Sequence, residues 1–236
     1  MPNNYFRFKQ FTIEQDGCAM KVGTDGCLLG GWFDCSKSSR ILDIGCGSGL
    51  IAIMAAQRCN AVITGVEIEE GAATQAIKNV KNSPWSDRIE IVNCDILQYS
   101  PEEPFDTIVC NPPYFVNSLK CDGQQRTLAR HSDTLGCNGF FRKASEFLTA
   151  DGKVSIVIPT DIFEEWKDAA ALCGFSLSRA TFIKTTPRKA PKRVLAEFLR
   201  AYRCDALTET LVLEDEPGIY SEAAQKILRD FYLKIM

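Results

Sequence analysis

Apolar and polar positions change period repeatedly along the chain. Five short runs are apolar on both faces: RILDI (40–44), AVITGVEI (61–68), RIEIVNC (88–94), FDTIVC (105–110) and KVSIVIP (153–159). Strands of this kind belong to parallel sheets covered by helices. Between and after them, helical spacing of the apolar residues marks 49–58, 70–82, 138–150 and 160–174. Thr160 is the expected N-cap of the last helix and Gly174 its C-cap. Two more strands are expected over 175–185 and 193–203. Near the end, Ala224, Ile227, Leu228 and Phe231 share one face of an amphipathic helix. This alternation predicts an α/β fold: a doubly wound, seven-stranded, mostly parallel sheet with helices on both faces. No repeat or linker interrupts it. Residues 1–236 therefore read as a single domain, with 1–39 as an N-terminal extension and 40–236 as the core with its C-terminal helix.

Composition narrows the class without changing that picture. The 236 residues are 45% hydrophobic and 24% charged, an ordinary globular balance. No apolar run approaches the roughly 20 residues of a membrane helix, and the start MPNNYFRFKQF lacks the apolar core of a secretory signal. A cytoplasmic monomer with no membrane partner is expected. Eleven cysteines include no CxxC pair, and there is one histidine, so reduced thiols are expected and a zinc site is not. The net charge of −3 excludes a global attraction to nucleic acid. The exception is local. KTTPRKAPKR (184–193) carries five positive charges and no acid.

The junction between the first core strand and its helix reads LDIGCGSG (42–49). Gly45, Gly47 and Gly49 allow a sharp turn and close approach of a ligand to the backbone. A dinucleotide fingerprint would place its third glycine one position later. Asp43, just before the loop, would repel a pyrophosphate but suits a cation, such as the ammonium and sulfonium of S-adenosylmethionine. Glu67 ends the next strand, at the place where an acid takes ribose hydroxyls in nucleotide-binding α/β domains. Asp95 and Ile96 end the third, where an acid can accept from an adenine amino group beside an apolar contact. Three acids at three neighbouring strand ends line one crevice. The fourth strand ends in NPPY (111–114).

The order LDIGCGSG, GVEIE, NCDI, NPPY resembles the class I S-adenosylmethionine-dependent methyltransferases, in their N-methylating branch. MKVGTDGCLLGGW (20–32), PRKAPKRVLAEF (187–198) and DFYL (230–233) extend the resemblance over nearly the whole chain, to the bacterial tRNA1(Val) adenine-N6 methyltransferases. The resemblance implies a Rossmann-like methyltransferase fold and methylation of the exocyclic N6 amine of an adenine next to the anticodon, with tRNA as partner. It implies that the segment holding Lys21, Gly23, Thr24 and Asp25 folds over the cofactor, and that Ile68 joins Glu67 in holding it. Thr24 and Asp25 equally suit a helix cap.

An exocyclic amine is a poor nucleophile because its lone pair is delocalised into the ring. The Asn111 side-chain oxygen and the Pro112 carbonyl can each accept one N–H and free that lone pair. The prolines fix the carbonyl direction. Tyr114 can stack on a flipped base, and Pro113 lies beside it. Asn111 is neutral and orients the amine; the proton leaves after transfer. Asn111 also borders the cofactor. Arg188, Lys189 and Lys192, with Arg126 and Arg130, are candidates for RNA phosphates. His131 reads as a surface-loop residue. Related enzymes keep other readings open: methylation of an rRNA adenine N6 or guanine N2, or of a release-factor glutamine, the last expected to need a larger N-terminal helical domain. A cofactor-binding RNA chaperone is the non-enzyme reading, which an intact Asn111 and Tyr114 disfavour.

Overall fold

The computed structural model describes residues 4–16, 20–113, 136–200 and 205–235. Two short strands, β1 (Tyr5–Arg7) and β2 (Thr12–Glu14), pair antiparallel and precede helix α1 (Thr24–Trp32). The core follows as β3 (Arg40–Ile44), α2 (Leu50–Arg58), β4 (Val62–Glu67), α3 (Glu70–Lys81), β5 (Ile89–Asn93) and β6 (Phe105–Cys110). After it come α4 (Cys137–Phe147), β7 (Leu148–Pro159), a 3-10 turn (Thr160–Ile162), α5 (Phe163–Leu172), β8 (Phe175–Lys184) and β9 (Arg193–Arg200). The described chain closes with β10 (Leu207–Val212), β11 (Glu214–Glu216), β12 (Ile219–Tyr220) and α6 (Glu222–Leu228).

The central sheet has eight strands in the order β10-β8-β9-β7-β6-β3-β4-β5. Only β9 runs against the rest, pairing antiparallel with both β7 and β8. Consecutive core residues point to opposite faces: Ile41 belongs to a cluster with α1, α2 and α6, while Leu42 belongs to one with α4 and α5. Both faces are therefore apolar, and the strands read as continuous hydrophobic runs.

The sheet has one strand more than the expected seven. The eighth, LTETLV (207–212), lies on the outer edge of β8 and buries only Leu211. An edge strand that leaves four of its six positions exposed, with Thr-Glu-Thr between its leucines, carries no long apolar run to betray it. Thr160 is a second correction. The helix starts at Phe163 after the 3-10 turn, and the Thr160 hydroxyl donates to the Pro191 carbonyl at 3.0 Å instead of capping. Gly174 follows α5 with φ +83°, the left-handed residue expected after a helix end. The helix expected over 138–150 stops at Phe147 and passes directly into the longer β7.

Helix α1 packs tightly against its neighbours. A Cβ on Gly30 would lie 2.6 Å from Met54 Sδ of α2, and one on Gly31 2.6 Å from the Ile227 carbonyl of α6. The N-cap of α1 is Gly23, with no side-chain cap, so neither Thr24 nor Asp25 caps it. The N- and C-terminal segments meet beside it: Phe8 bridges to Tyr232, and Lys9 N–H donates to the Phe231 carbonyl.

Candidate active site

Strands β3, β4, β5, β6, β7 and β8 all end at the same edge of the sheet, where the described residues expected at the site lie. After β3 the chain turns through Gly45, Gly47 and Gly49 at φ +68°, +54° and +79°. L side chains rarely adopt this region, so glycine is required by the turn. Beyond Gly45 and Gly47 no atom lies within 4 Å of where a Cβ would be, so their backbone faces open space. Gly45 and Cys46 N–H groups both donate to the Val66 carbonyl, at 2.8 and 3.2 Å. Cys46 turns inward over Gly65, whose missing side chain leaves it room.

Glu67, at the end of β4, is 9% exposed. Its Oε2 accepts from Gly47 N–H at 2.8 Å and its Oε1 from Glu69 N–H at 2.9 Å. Each carboxylate oxygen has a second lone pair available for a ligand hydroxyl. Ile68 beside it is half exposed, at 53%.

Asp43 is fully buried on the same face. Its Oδ2 accepts from Ala52 N–H in the first turn of α2 at 3.1 Å, while Oδ1 has no hydrogen-bond partner. Burial pushes its carboxyl up to about 7, against the opposing Ala52 N–H and with help from the Glu67 charge. Asp95 follows β5 and accepts from Leu97 N–H at 2.9 Å, so it closes its own turn. Ile96 is 6% exposed and belongs largely to the core.

Asn111 and Pro112 leave β6 half-buried, and Pro113 is exposed. The strand beside β6 is β3, so Asn111 emerges one strand away from the glycine loop. Gly26 of α1 lies against this corner: a Cβ there would come 3.8 Å from Asn111 Nδ2 and 3.2 Å from Leu50 Cδ2. Tyr114, Arg126, Arg130 and His131 lie outside the described residues.

The β8–β9 loop carries Arg188, Lys189 and Lys192, all exposed, at this same edge. Asp25, expected near a cofactor or as a cap, accepts from Arg193 Nε at 2.7 Å, and Thr24 is exposed next to it.

Asn79 escapes a reading based on sequence. It is 1% exposed and joins three segments: it accepts from Glu14 N–H and donates to the carbonyls of Glu14 and of Ser48 in the glycine loop. The available signal was an amide on the apolar stripe of the 70–82 helix. Glu69 was also missed. It caps α3 by accepting from Gly71 and Ala72 N–H groups.

Among the described residues no His, Cys, Asp or Glu group is placed to hold a metal, no disulfide forms, and no helix is long and apolar enough to cross a membrane.

The family model described as the methyltransferase small domain matches residues 22–165. A Phocaeicola vulgatus protein named tRNA1(Val) (adenine(37)-N6)-methyltransferase is 48% identical, covering 100% of both chains. A Bacteroides fragilis protein of the same name is 45% identical, also over 100% of both. Among solved structures, one described as a predicted O-methyltransferase from Agrobacterium tumefaciens superposes with a TM-score of 0.69 at 20% identity, covering 90% of this chain and 99% of that one. At that identity the likeness speaks for the fold alone.

Proposed function

This chain belongs to the tRNA1(Val) (adenine(37)-N6)-methyltransferase family, within the methyltransferase small-domain group, and from that premise we propose that it methylates the exocyclic N6 amine of adenine 37 in tRNA1(Val), with S-adenosylmethionine as donor. One observation carries the reading at the level of chemistry. Asn111 leaves the strand next to the one that turns through Gly45 and Gly47. An amine held at Asn111 therefore lies about one strand spacing, ~5 Å, from backbone shaped to take a ligand.

The residues present suit S-adenosylmethionine. The backbone at Gly45 and Gly47 is open to a close-lying ligand. Glu67 keeps one lone pair on each oxygen for a pair of ribose hydroxyls. Exposed Ile68 can cover one face of an adenine ring, with Asp95 accepting from its amino group and Ile96 behind. The unpartnered Asp43 Oδ1 supports a site that favours positive charge. When bound, the cofactor supplies an electrophilic methyl group on a sulfonium.

On the acceptor side, the Asn111 amide oxygen and the Pro112 carbonyl each take one N–H of the adenine amine. This withdraws the nitrogen lone pair from the ring and aims it. Asn111 stays neutral throughout, and the proton leaves once the nitrogen is cationic. Positioning and electrostatics do most of the work. Tyr114 stacks on the flipped base, Pro113 abuts it, and Arg188, Lys189 and Lys192 meet phosphates.

The test is single-turnover methylation of unmodified tRNA1(Val), followed by nucleoside analysis. N6-methyladenosine at position 37 is expected. N2-methylguanosine, or transfer only to rRNA or to a release-factor glutamine, overturns the substrate. Binding of S-adenosylmethionine with no transfer to any of them favours a chaperone.

A further inference from the structure

An ion pair joins the β8–β9 side of the edge to helix α1, beside Asn111. Arg193 Nε donates to Asp25 Oδ2 at 2.7 Å, and the two side chains are 35% and 29% exposed. A pair at that depth is shielded from solvent more than a surface pair but escapes the full cost of burial.

The loop side of the pair is firmly held. Arg193 opens β9 opposite Pro159 and Ile183. Its Nη1 donates to the Lys192 carbonyl at 3.1 Å. Lys192 N–H donates to the Ile183 carbonyl at 3.0 Å, and the Thr160 hydroxyl holds Pro191. The returning limb of the loop is therefore held together with Arg193, and Arg188 and Lys189 lie in the turn just before it, where Lys189 N–H donates to the Thr186 carbonyl.

The helix side is held as well. Asp25 lies in the first turn of α1, where the helix N-terminus favours a negative charge. The next residue is Gly26, where a Cβ would lie 3.2 Å from Leu50 Cδ2 and 3.8 Å from Asn111 Nδ2, so this turn packs close beside Asn111. Further along, α1 is wedged against Met54 and Ile227 and has no room to slide. The pair thus ties the end of the loop to the turn of α1 that lies beside Asn111.

We propose that the Asp25–Arg193 pair is a positioning latch, through which RNA held on the β8–β9 loop fixes the orientation of the Asn111 side chain toward the amine. The latch rests on the reading of the protein as an RNA methyltransferase. It gives Asp25 a role through Arg193 and Gly26, with no contact to the cofactor.

The experiment compares Asp25→Asn, Arg193→Gln, the double variant and Arg193→Lys with the wild type. The readouts are the single-turnover rate at saturating tRNA1(Val) and S-adenosylmethionine, the Kd of each, and the Tm. Each single variant should lose about tenfold in rate, with both Kd values moving less than about threefold. The double variant should be no slower than the worse single, because both remove one contact. Arg193→Lys keeps the charge but loses the planar fork, and should recover only part of the rate with an unchanged Tm. Losses that multiply in the double variant overturn the latch, as does an unchanged rate in the singles. Weaker S-adenosylmethionine binding in Asp25→Asn alone also overturns it, in favour of direct cofactor contact. A wild-type protein that leaves tRNA unmethylated overturns the underlying reading, and does so before any variant is compared.

Discussion

Around the glycine loop, contacts are made over short stretches of chain. Asp43 reaches Ala52, 9 residues on, and Gly47 reaches Glu67, 20 residues on. At the other half of the same edge, contacts span most of the chain. Asp25 meets Arg193 across 168 residues there, and at the far end of α1, over the body of the sheet, the Trp32 indole donates to the Thr181 hydroxyl across 149. The first half is a cradle whose inner bonds lie within one βαβ unit, with Asn79 bracing it from outside. The second is a wall assembled only after α1 has docked on strands from the far end of the chain. Loop-closure entropy makes such long-range contacts late and individually removable. Cofactor chemistry and acceptor geometry should therefore be separable by mutation.

The largest expected effect lies in the cradle and concerns stability. Asp43 has its carboxyl raised from 3.8 to about 7 by burial. A raised folded-state value means the folded protein binds the proton more tightly than the unfolded chain. The stability this group supports is complete below about pH 4 and is lost as pH rises through about 7. A shift of that size corresponds to at most about 4 kcal/mol. Asp43→Asn removes the ionisation but keeps an acceptor for Ala52 N–H. Chemical denaturation at pH 5 and pH 8 should show the variant gaining on the wild type at the higher pH. A stability difference that is equal at both values would mean Asp43 carries no such strain.

Next is the meeting point of the two halves. Asn111→Ala should lower kcat by about a hundredfold or more, roughly 3 kcal/mol, with S-adenosylmethionine affinity nearly unchanged. Single-turnover kinetics beside calorimetry separate the two quantities. Wild-type transfer by this variant would remove the argument built on NPPY.

A smaller effect should come from Glu67→Ala. The Gly47 N–H loses its acceptor and, on the proposed reading, so do two ribose hydroxyls, and S-adenosylmethionine should bind about tenfold more weakly, near 1.4 kcal/mol. Affinity for tRNA should hold. Calorimetry that finds cofactor binding intact excludes the ribose role.

The smallest effect per residue belongs to the outer loop. Replacing Arg188, Lys189 and Lys192 together by Ala should flatten the salt dependence of tRNA binding by up to about three units of slope. Binding measured across a salt series tests this, with S-adenosylmethionine affinity as the internal control. An unaltered slope would make the run an ordinary solvated surface.

The apolar strands, the glycine turn, the acid ending β4 and the asparagine ending β6 were legible from residue order, because each is a local device. A buried parallel strand must be apolar on both faces, and a turn at φ +54° needs glycine wherever it sits. Local signals failed where partners are distant or where a segment buries little. The edge strand LTETLV shows no apolar run because only Leu211 is covered. Thr160 has the chemistry of a cap, yet the carbonyl of Pro191 claims its hydroxyl. The amide of Asn79 looks like any polar residue on a helix until β2 and the glycine loop converge on it. Asp25 could equally have capped a helix, bound a ligand or paired with a base. Its partner at Arg193 was decided by tertiary structure, since nothing in residue order tells which of several nearby basic side chains the returning β9 brings within 2.7 Å. Sequence determined which chemistry each strand end can offer; tertiary docking decided which distant partners meet, Asp25 with Arg193 and Asn79 with Ser48, because those contacts close only when remote segments pack.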